Sequence, residues 1–150
     1  MRQVEHSFSS HHPHPGCVLI LVENAQLRKM LTVAFRNAGF RVTKTGSPAT
    51  AISCLRRHWP EVVIIDLAAH GIDTVRAIRA EAQLDDIAIA YLCTDAHDSV
   101  RWRALQAGAN CYVLKPFSVL DLQARVAALV QKGRPRLHVI ARREPSRLAG

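Results

Sequence analysis

The sequence lacks the features that mark membrane proteins, secreted proteins and metal-cluster proteins. It has no apolar run near the roughly 20 residues that a helix needs to cross a bilayer. The first 15 residues lack the apolar centre of a signal peptide. The four cysteines form no CxxC pair, which favours reduced, buried thiols over disulfides or a metal site. Together these absences predict a cytoplasmic protein with no membrane partner.

Motifs of small α/β enzymes are also missing from the chain. There is no glycine-rich phosphate loop of the GxGxxG or GxxxxGK type. No Ser–His or Cys–His pair falls at the ends of adjacent predicted strands, where a nucleophile and its base would have to meet. We therefore expect that the protein is not an enzyme.

The net charge of +8 is concentrated near the C-terminus. Residues 132–150 carry six basic residues against one acidic residue, whereas residues 17–131 carry 13 against 10. A basic segment can bind nucleic acid or an acidic surface, although a solvated end is the favoured interpretation. Residues 1–16 are rich in His, Ser and Pro without periodicity, which predicts a disordered tail. The chain is therefore divided into this N-terminal tail, a folded domain over residues 17–131, and a basic C-terminal tail or linker.

Short apolar segments alternate with amphipathic segments throughout the folded domain. Each apolar segment, such as VVIID at 62–66, is typical of a strand buried on both faces. Each amphipathic segment repeats apolar residues at helical spacing. Five such βα units predict an α/β fold, a parallel sheet with helices on both faces. Strands are predicted at 17–22, 40–44, 62–66, 87–92 and 111–114, and the last four helices at 48–58, 72–82, 97–107 and 118–131.

Chemically active side chains lie at the ends of the predicted strands. Asp66 ends the third strand, Glu23 follows the first strand, and Lys115 follows the fifth. Cys93 and Thr94 follow the fourth strand. Because ligand sites of such sheets lie beyond the carboxyl ends of the strands, we expect these side chains to converge.

Two carboxylates and a lysine at one edge of a sheet suit phosphoryl chemistry. A carboxylate such as Asp66 can accept a phosphoryl group as an acyl phosphate. A lysine offers a point charge to a phosphoryl oxygen, and carboxylate and carbonyl oxygens are ligands that Mg²⁺ prefers. The alternative is an ion cluster that only satisfies itself, and such clusters contribute little to stability.

Three segments of the chain resemble a known family. CVLILVEN (17–24), VVIIDL (62–67) and AGANCYVLKPF (107–117), together with the βα order, resemble the receiver domain of two-component response regulators over residues 17–131. The resemblance implies a flavodoxin-like, doubly wound (βα)5 fold with strand order 2-1-3-4-5. It also implies that a histidine kinase or a phosphotransfer protein supplies a phosphoryl group.

The resemblance assigns roles to individual site residues. Asp66 would be the phospho-acceptor and Lys115 the phosphate contact. Glu23, Asp66 and the backbone carbonyl of Ala68 would be the ligands of Mg²⁺. The bond between Lys115 and Pro116 would be cis, as it is in the family.

The switch residues of the family also have counterparts. Counting back from Gly108, the switch hydroxyl falls on Cys93, whereas a slip of one residue places it on Thr94. A thiol is the weaker hydrogen-bond donor of the two. Tyr112 matches the aromatic residue whose rotation accompanies activation in the family.

The family uses the face formed by helix four, strand five and helix five for dimerisation or docking. In this chain helix four places Trp102 between Arg101 and Arg103. Tryptophan and arginine are common interface anchors, so this face is a candidate for homodimerisation. Exposure of Trp102 and packing of its ring on a neighbouring helix are equal alternatives.

The chain departs from the family at the metal site and in the loop after Asp66. Receivers usually carry two adjacent acids after the first strand, and here those positions hold Val22 and the longer Glu23. We therefore expect weak binding of Mg²⁺. In the loop, His70 replaces a proline and Thr74 a glycine, which predicts a less rigid loop. A solvated His70 is the favoured interpretation, and contact of His70 with a phosphoryl group is the alternative.

Two functions are consistent with these features. One is a receiver that signals when phosphorylated, and the other is an atypical receiver that acts as an interaction module without phosphorylation. The residues after 131 are too few for an output domain, so we expect a single-domain receiver or part of a longer DNA-binding regulator. Nucleic acid binding is expected only through the basic tail or an output domain outside this chain.

Overall fold

Strands and helices alternate along the chain. The computed structural model describes residues 15–133, with Ala82 described by its backbone alone. The predictions made for the two tails fall on residues 1–14 and 134–150, outside the described residues. The strands are β1 (Cys17–Val22), β2 (Arg41–Thr45), β3 (Val62–Asp66), β4 (Ala88–Cys93) and β5 (Cys111–Leu114). The helices are α1 (Ala25–Asn37), α2 (Pro48–His58), α3 (Gly71–Ala80), α4 (Asp98–Ala107) and α5 (Val119–Gly133).

The five strands form one parallel sheet in the order β2-β1-β3-β4-β5. This order confirms the predicted flavodoxin-like fold. The order reverses direction between β1 and β3, and ligand sites of such sheets lie at this switch point. The last residue of β3 is Asp66, so the chain order places this acid at the expected location.

The third helix is shorter than predicted. The sequence pattern indicated residues 72–82, but α3 ends at Ala80 because Glu81 adopts an extended backbone with φ −86° and ψ 107°. A 3₁₀ turn over Ala82–Leu84 follows, and Leu84 is buried in the core. Apolar spacing in the sequence does not indicate that Glu81 is extended and separates α3 from the 3₁₀ turn.

Short polar side chains begin the first two helices. The Oδ1 atom of Asn24 accepts a hydrogen bond from the N–H of Leu27 at 2.8 Å at the start of α1. Ser47 accepts a similar bond from the N–H of Thr50 at 3.4 Å, and Pro48 is the first residue of α2. Such caps satisfy N–H groups that have no partner within the helix. The cap on α1 also fixes the loop that follows β1.

The alternation of side chains along each strand divides the core into two layers. On one face of the sheet, residues such as Ile20 pack with α1 and α5. On the other face, residues such as Leu19 pack with α2, α3 and α4. Burial of each large aliphatic side chain contributes roughly 1.5–3 kcal/mol. The central strands β1 and β3 therefore hold the carboxyl edge of the sheet in a fixed position.

The cysteines and the helices bear on two further expectations. All four cysteines are free thiols, and they are half-buried where buried thiols were predicted, because each lies at the margin of a core layer or at the end of an element. Among residues 15–133, none of the helices has both the length and the apolarity that a bilayer crossing requires.

Candidate functional site

The carboxyl ends of the parallel strands meet at one edge of the sheet. Val22 lies opposite Asp66 in the β1–β3 pairing, and the N–H of Glu23 donates to the Asp66 carbonyl at 3.0 Å. This edge borders a cavity of about 510 Å³. The cavity is lined by Glu23, Asn24, Asp66, Leu67, Ala68, Leu92, Cys93, Thr94 and Lys115. The structure therefore brings together the residues that were expected to converge from four strand ends.

Asp66 and Lys115 form an ion pair in this cavity. The Nζ atom of Lys115 lies 3.1 Å from Oδ1 and 2.9 Å from Oδ2 of Asp66. The Asp66 side chain is 12% exposed and the Lys115 side chain 28% exposed. A carboxylate with so little solvent requires a positive partner, and Lys115 supplies it. The peptide bond between Lys115 and Pro116 is cis, as the resemblance implied.

Glu23 connects two loops at the sheet edge. Its Oε1 atom accepts a hydrogen bond from the N–H of Ala68 at 2.9 Å, which joins the loop after β1 to the loop after β3. On the other side, Nη1 of Arg28 donates to the carbonyl of Val22 at 2.8 Å and to that of Glu23 at 3.2 Å. The end of β1 is therefore held from both sides, with the Glu23 carboxylate next to the cavity.

The oxygen atoms that border the cavity fit a hard cation with an incomplete set of protein ligands. Glu23 and Asp66, which each carry a carboxylate, and Ala68 line the cavity. The Val22 side chain contributes no ligand, because it is a hydrocarbon, and it is completely buried in the core layer next to α1 and α5. Within residues 15–133 no group of three or more His, Cys, Asp or Glu side chains forms a metal cluster. Mg²⁺ commonly keeps several waters, so such a short ligand set suits it.

Both candidates for the switch position, Cys93 and Thr94, line the cavity with Asp66. Cys93 is the last residue of β4 and is half-buried, whereas Thr94 is exposed. The Sγ atom of Cys93 accepts a hydrogen bond from the N–H of Asp95 at 3.4 Å. Cys93 therefore links the cavity to the loop between β4 and α4.

Tyr112 is on β5 and lies next to Cys93, close to the start of the loop between β4 and α4. Its hydroxyl donates a hydrogen bond to the backbone carbonyl of Asp95. The pKa of Tyr112 is raised, first by burial and then by the neighbouring Cys93 thiol. The hydroxyl therefore stays protonated and keeps its role as a donor at physiological pH.

The three expected interface residues lie on α4 and outside the Asp66 cavity. Arg101, Trp102 and Arg103 are all exposed. Trp102 is 62% exposed, so of the two alternatives for its ring the structure shows the exposed one. Arg101 borders a groove that also contains Tyr112, whereas Arg103 borders a separate groove beside α3.

His70 and Thr74 shape the loop after β3. His70 adopts a left-handed backbone with φ 62°, and its exposed side chain lines the groove beside α3 rather than the Asp66 cavity. Thr74 is buried, and its Oγ1 donates to the His70 carbonyl at 2.9 Å. The threonine that replaces a glycine thus adds a hydrogen bond across the first turn of α3.

Sequence reasoning did not single out Tyr91 or Asp95. Tyr91 lies opposite Tyr112 in the β4–β5 pairing, and Asp95 accepts the Tyr112 hydrogen bond. A signal for Tyr91 was present, because it lies two residues before the end of its strand, as Tyr112 does. Equal distances from the strand ends would have placed both tyrosines side by side.

Comparison with known proteins identifies the family. The chain matches the family model of the response regulator receiver domain over residues 18–127, which is more than half of its length. The chain belongs to the response regulator receiver family. Members of this family are signalling modules that interact with histidine kinases or phosphotransfer proteins and typically bind Mg²⁺.

Curated relatives of this receiver are longer regulators. The chain is 33% identical over 118 residues to the DNA-binding response regulator MtrA of Mycobacterium tuberculosis, covering 77% of this chain and 50% of MtrA. It is 26% identical over 121 residues to the phosphate regulon transcriptional regulatory protein PhoB of Klebsiella pneumoniae, covering 79% of this chain and 53% of PhoB. This receiver thus spans about half the length of the curated relatives that it matches.

Solved structures support the same fold. The receiver domain of the Francisella response regulator 1452 superposes with a TM-score of 0.73 at 20% identity, covering 79% of this chain and 99% of that chain. The receiver domain of sensor histidine kinase PA1611 from Pseudomonas aeruginosa gives a TM-score of 0.69 at 25% identity, covering 77% and 98%. The latter structure has a magnesium ion coordinated in its active site cleft.

Proposed function

We propose that Asp66 accepts a phosphoryl group from a histidine kinase or a phosphotransfer protein. The observation that carries this proposal is the position of Lys115, whose Nζ is within hydrogen-bond distance of both Asp66 carboxylate oxygens. During transfer, one Asp66 oxygen forms a bond to phosphorus while the bond from phosphorus to a histidine nitrogen of the partner breaks. The partner's imidazole is the leaving group, and Asp66 becomes an acyl phosphate.

Charge at the site has to be balanced during this transfer. The transferred group brings negative charge beside Glu23 and Asp66, and the Lys115 ammonium can turn from the carboxylate to a phosphoryl oxygen. Glu23, Asp66 and the carbonyl of Ala68 would hold Mg²⁺, which would offset the charge of the transferred group. Since Val22 offers no oxygen, we propose that this metal binds weakly.

The proposed signal starts at the end of β4. Cys93, or Thr94, would contact the phosphoryl group and shift the loop that Tyr112 holds. Phosphorylation would then bias the loop and the α4–β5–α5 face between two arrangements. The exposed residues on this face that would meet a partner or a second copy of the chain include Arg101, Trp102 and Arg103.

The test is the intact mass of the chain after incubation with acetyl phosphate and Mg²⁺. We expect the wild-type chain to gain one phosphoryl group and Asp66→Asn to gain none. Asp73→Asn is a matched control, because Asp73 is an exposed carboxylate in the first turn of α3. This control should gain the group as the wild type does. A wild-type chain without any gain, across a range of Mg²⁺ concentrations, would contradict the proposal.

A receiver that works without phosphorylation is the second candidate. It is favoured by the buried Val22 at a position where the family has an acid. Such a module would bind its partner through α4, β5 and α5 with Asp66 unmodified. Partner binding that is equally strong with wild type and Asp66→Asn would support it.

The output of the signal is proposed to lie outside this chain. MtrA is named a DNA-binding response regulator, and the present chain spans about half of its length. We propose that DNA is reached through an output domain beyond the receiver or through a partner protein. A cytoplasmic location, where kinase and regulator meet, is part of this proposal.

A further inference from the structure

Tyr91 and Tyr112 are the two tyrosines of the chain, and they lie side by side. They are opposite each other in the β4–β5 pairing, with ring centroids 6.1 Å apart and ring planes at 30°. In the β3–β4 pairing, Tyr91 lies opposite Ile65, the residue before Asp66. One row across three strands therefore runs from the neighbour of Asp66 through Tyr91 to Tyr112.

The hydroxyl end of Tyr91 abuts the start of α3. A Cβ atom on Gly71 would lie only 2.4 Å from the Tyr91 hydroxyl oxygen and 3.0 Å from two ring carbons. Tyr91 is 6% exposed and belongs to the core layer that packs under α3. Its side chain therefore contacts the end of the loop that follows Asp66 and also the ring of Tyr112.

Tyr112 in turn holds the loop between β4 and α4. Its hydroxyl donates to the carbonyl of Asp95, and the Oδ1 of Asp95 accepts the N–H of His97 at 2.9 Å. The N–H of Asp95 donates to the Sγ of Cys93. A displacement of the Tyr112 ring would remove the first of these hydrogen bonds and release the loop that leads into α4.

We propose that Tyr91 is a positioning residue that holds the Tyr112 ring against the β4–α4 loop and couples it to the start of α3. Adjacent aromatic rings stabilise each other beyond simple burial, and a close-packed interior transmits a displacement instead of absorbing it. A shift of α3 relative to the sheet moves Tyr91, and Tyr91 moves Tyr112. The consequence for signalling rests on the proposed phosphorylation of Asp66, whereas the positioning itself exists in the unmodified chain.

The experiment is NMR on the full chain with labelled tyrosine rings, with thermal unfolding as the check on folding. Tyr91→Leu leaves Tyr112 as the one tyrosine, so its ring signal is read directly. Loss of the neighbouring ring current moves this signal whatever the role of Tyr91, so the deciding readout is amide exchange, and we expect the amides of Asp95 and His97 to exchange roughly five- to tenfold faster. Tyr91→Phe keeps the ring and should retain the wild-type Tyr112 signal and exchange.

The matched control removes a ring from the opposite core layer. Phe35 packs against Phe40 with centroids 5.0 Å apart, and Phe35→Leu should leave the Tyr112 signal and the loop exchange unchanged. Unchanged exchange of the Asp95 and His97 amides in Tyr91→Leu would overturn the proposal. Equal changes in Phe35→Leu would overturn it as well, because they would show general loosening of the fold.

A second variant perturbs Tyr91 without deleting it. Gly71→Ala places a methyl group against the Tyr91 hydroxyl, and we expect it to displace the Tyr112 signal. Combining it with Tyr91→Phe, which removes the nearest oxygen, should reverse most of that displacement. A Gly71→Ala chain with the wild-type Tyr112 signal would overturn the coupling between α3 and Tyr112.

Phosphorylation is then measured separately on the same samples. After acetyl phosphate and Mg²⁺, Tyr91→Leu should gain the same mass as wild type but show a smaller further change in the Tyr112 signal. No mass gain in wild type would overturn the proposed function, while the comparison of unmodified chains would still decide the role of Tyr91. A full wild-type response in phosphorylated Tyr91→Leu would overturn the inference.

Discussion

Val22 lies opposite Asp66 in the β1–β3 pairing, and its side chain is completely buried among apolar residues. The family has a metal-binding acid at the Val22 position, as the resemblance implies. In this chain the apolar core reaches the edge of the site at Val22. The Nζ atom of Lys115 lies 2.9 Å from Oδ2 of Asp66. The site thus pairs the carboxylate of Asp66 with the ammonium of Lys115, and the Val22 side chain offers no oxygen beside them.

Val22→Asp should strengthen Mg²⁺ binding while it weakens the metal-free fold. A carboxylate at this buried position should lower the free energy of unfolding by about 2–3 kcal/mol. Mg²⁺ should restore part of the loss, because a ligand of the folded state stabilises it. Thermal unfolding with and without Mg²⁺ measures both effects. Val22→Asn should be destabilised without the larger Mg²⁺ response, and equal Mg²⁺ shifts for wild type and Val22→Asp would contradict the expectation.

Lys115→Met should leave the Asp66 carboxylate without its cation. Because the Asp66 side chain is only 12% exposed, we expect the free energy of unfolding to fall by about 1–3 kcal/mol. Adding Asp66→Asn should recover part of this loss, since the unpaired charge is then absent. Urea unfolding of the four chains of this double-mutant cycle gives the coupling energy. A coupling energy near zero would show that the ion pair does not stabilise the charge of Asp66.

Arg79 joins α3 to the loops at the opposite edge of the sheet. Its guanidinium donates to the carbonyls of Gly108, Leu84 and Asp85 and to Oδ1 of Asn110. Arg79→Ala should lower the free energy of unfolding by about 2–4 kcal/mol, and Arg79→Lys should recover little because an ammonium lacks the planar fork. Arg76, which is exposed and contacts Asp73, is the control. Arg76→Ala should lower the free energy of unfolding by about 0.5 kcal/mol or less. The measurement is denaturant unfolding. Equal losses in the free energy of unfolding for Arg79→Ala and Arg76→Ala would contradict the role of Arg79 in joining α3 to these loops.

The loop before α4 should respond to acid through Asp95. The pKa of Asp95 is lowered, first by the hydrogen bond from the His97 N–H and then by the His97 side chain. A lowered folded-state pKa means that the hydrogen bond persists below the ordinary value of 3.8 and is lost as the pH falls through the lower folded value. The amide signal of His97 should therefore titrate with a midpoint below 3.8, and Asp95→Asn should abolish this titration. A midpoint at or above 3.8 in the wild type would contradict the expectation.

Much of the fold could be predicted from local patterns. The bounds of β1, β3 and β5 agree with the apolar segments, because a strand buried on both faces has a continuous apolar run between polar residues. The start of α2 followed from Ser47 and Pro48, whose effect on a helix start is local. The end of α3 was not predicted, since apolar spacing does not indicate the extended backbone of Glu81.

The sequence predicted only those parts of the candidate site that lie at the ends of strands. Asp66 and Lys115 could be paired because parallel strands end at the same edge. The hydrogen bond of Glu23 to the Ala68 N–H depends on how two loops approach, which spacing does not specify. Tyr91 was missed because its importance depends on the residue opposite it, and register between strands is a tertiary property.

The most direct test of the account is to locate the modified residue chemically. The chain would be incubated with acetyl phosphate and Mg²⁺ and then treated with sodium borohydride, which reduces an acyl phosphate of aspartate to homoserine. Peptide mass spectrometry would read each aspartate position. The account predicts homoserine at position 66 and aspartate at every other position. Homoserine elsewhere, or none at position 66 in a folded chain, would contradict the claim that Asp66 is the phospho-acceptor.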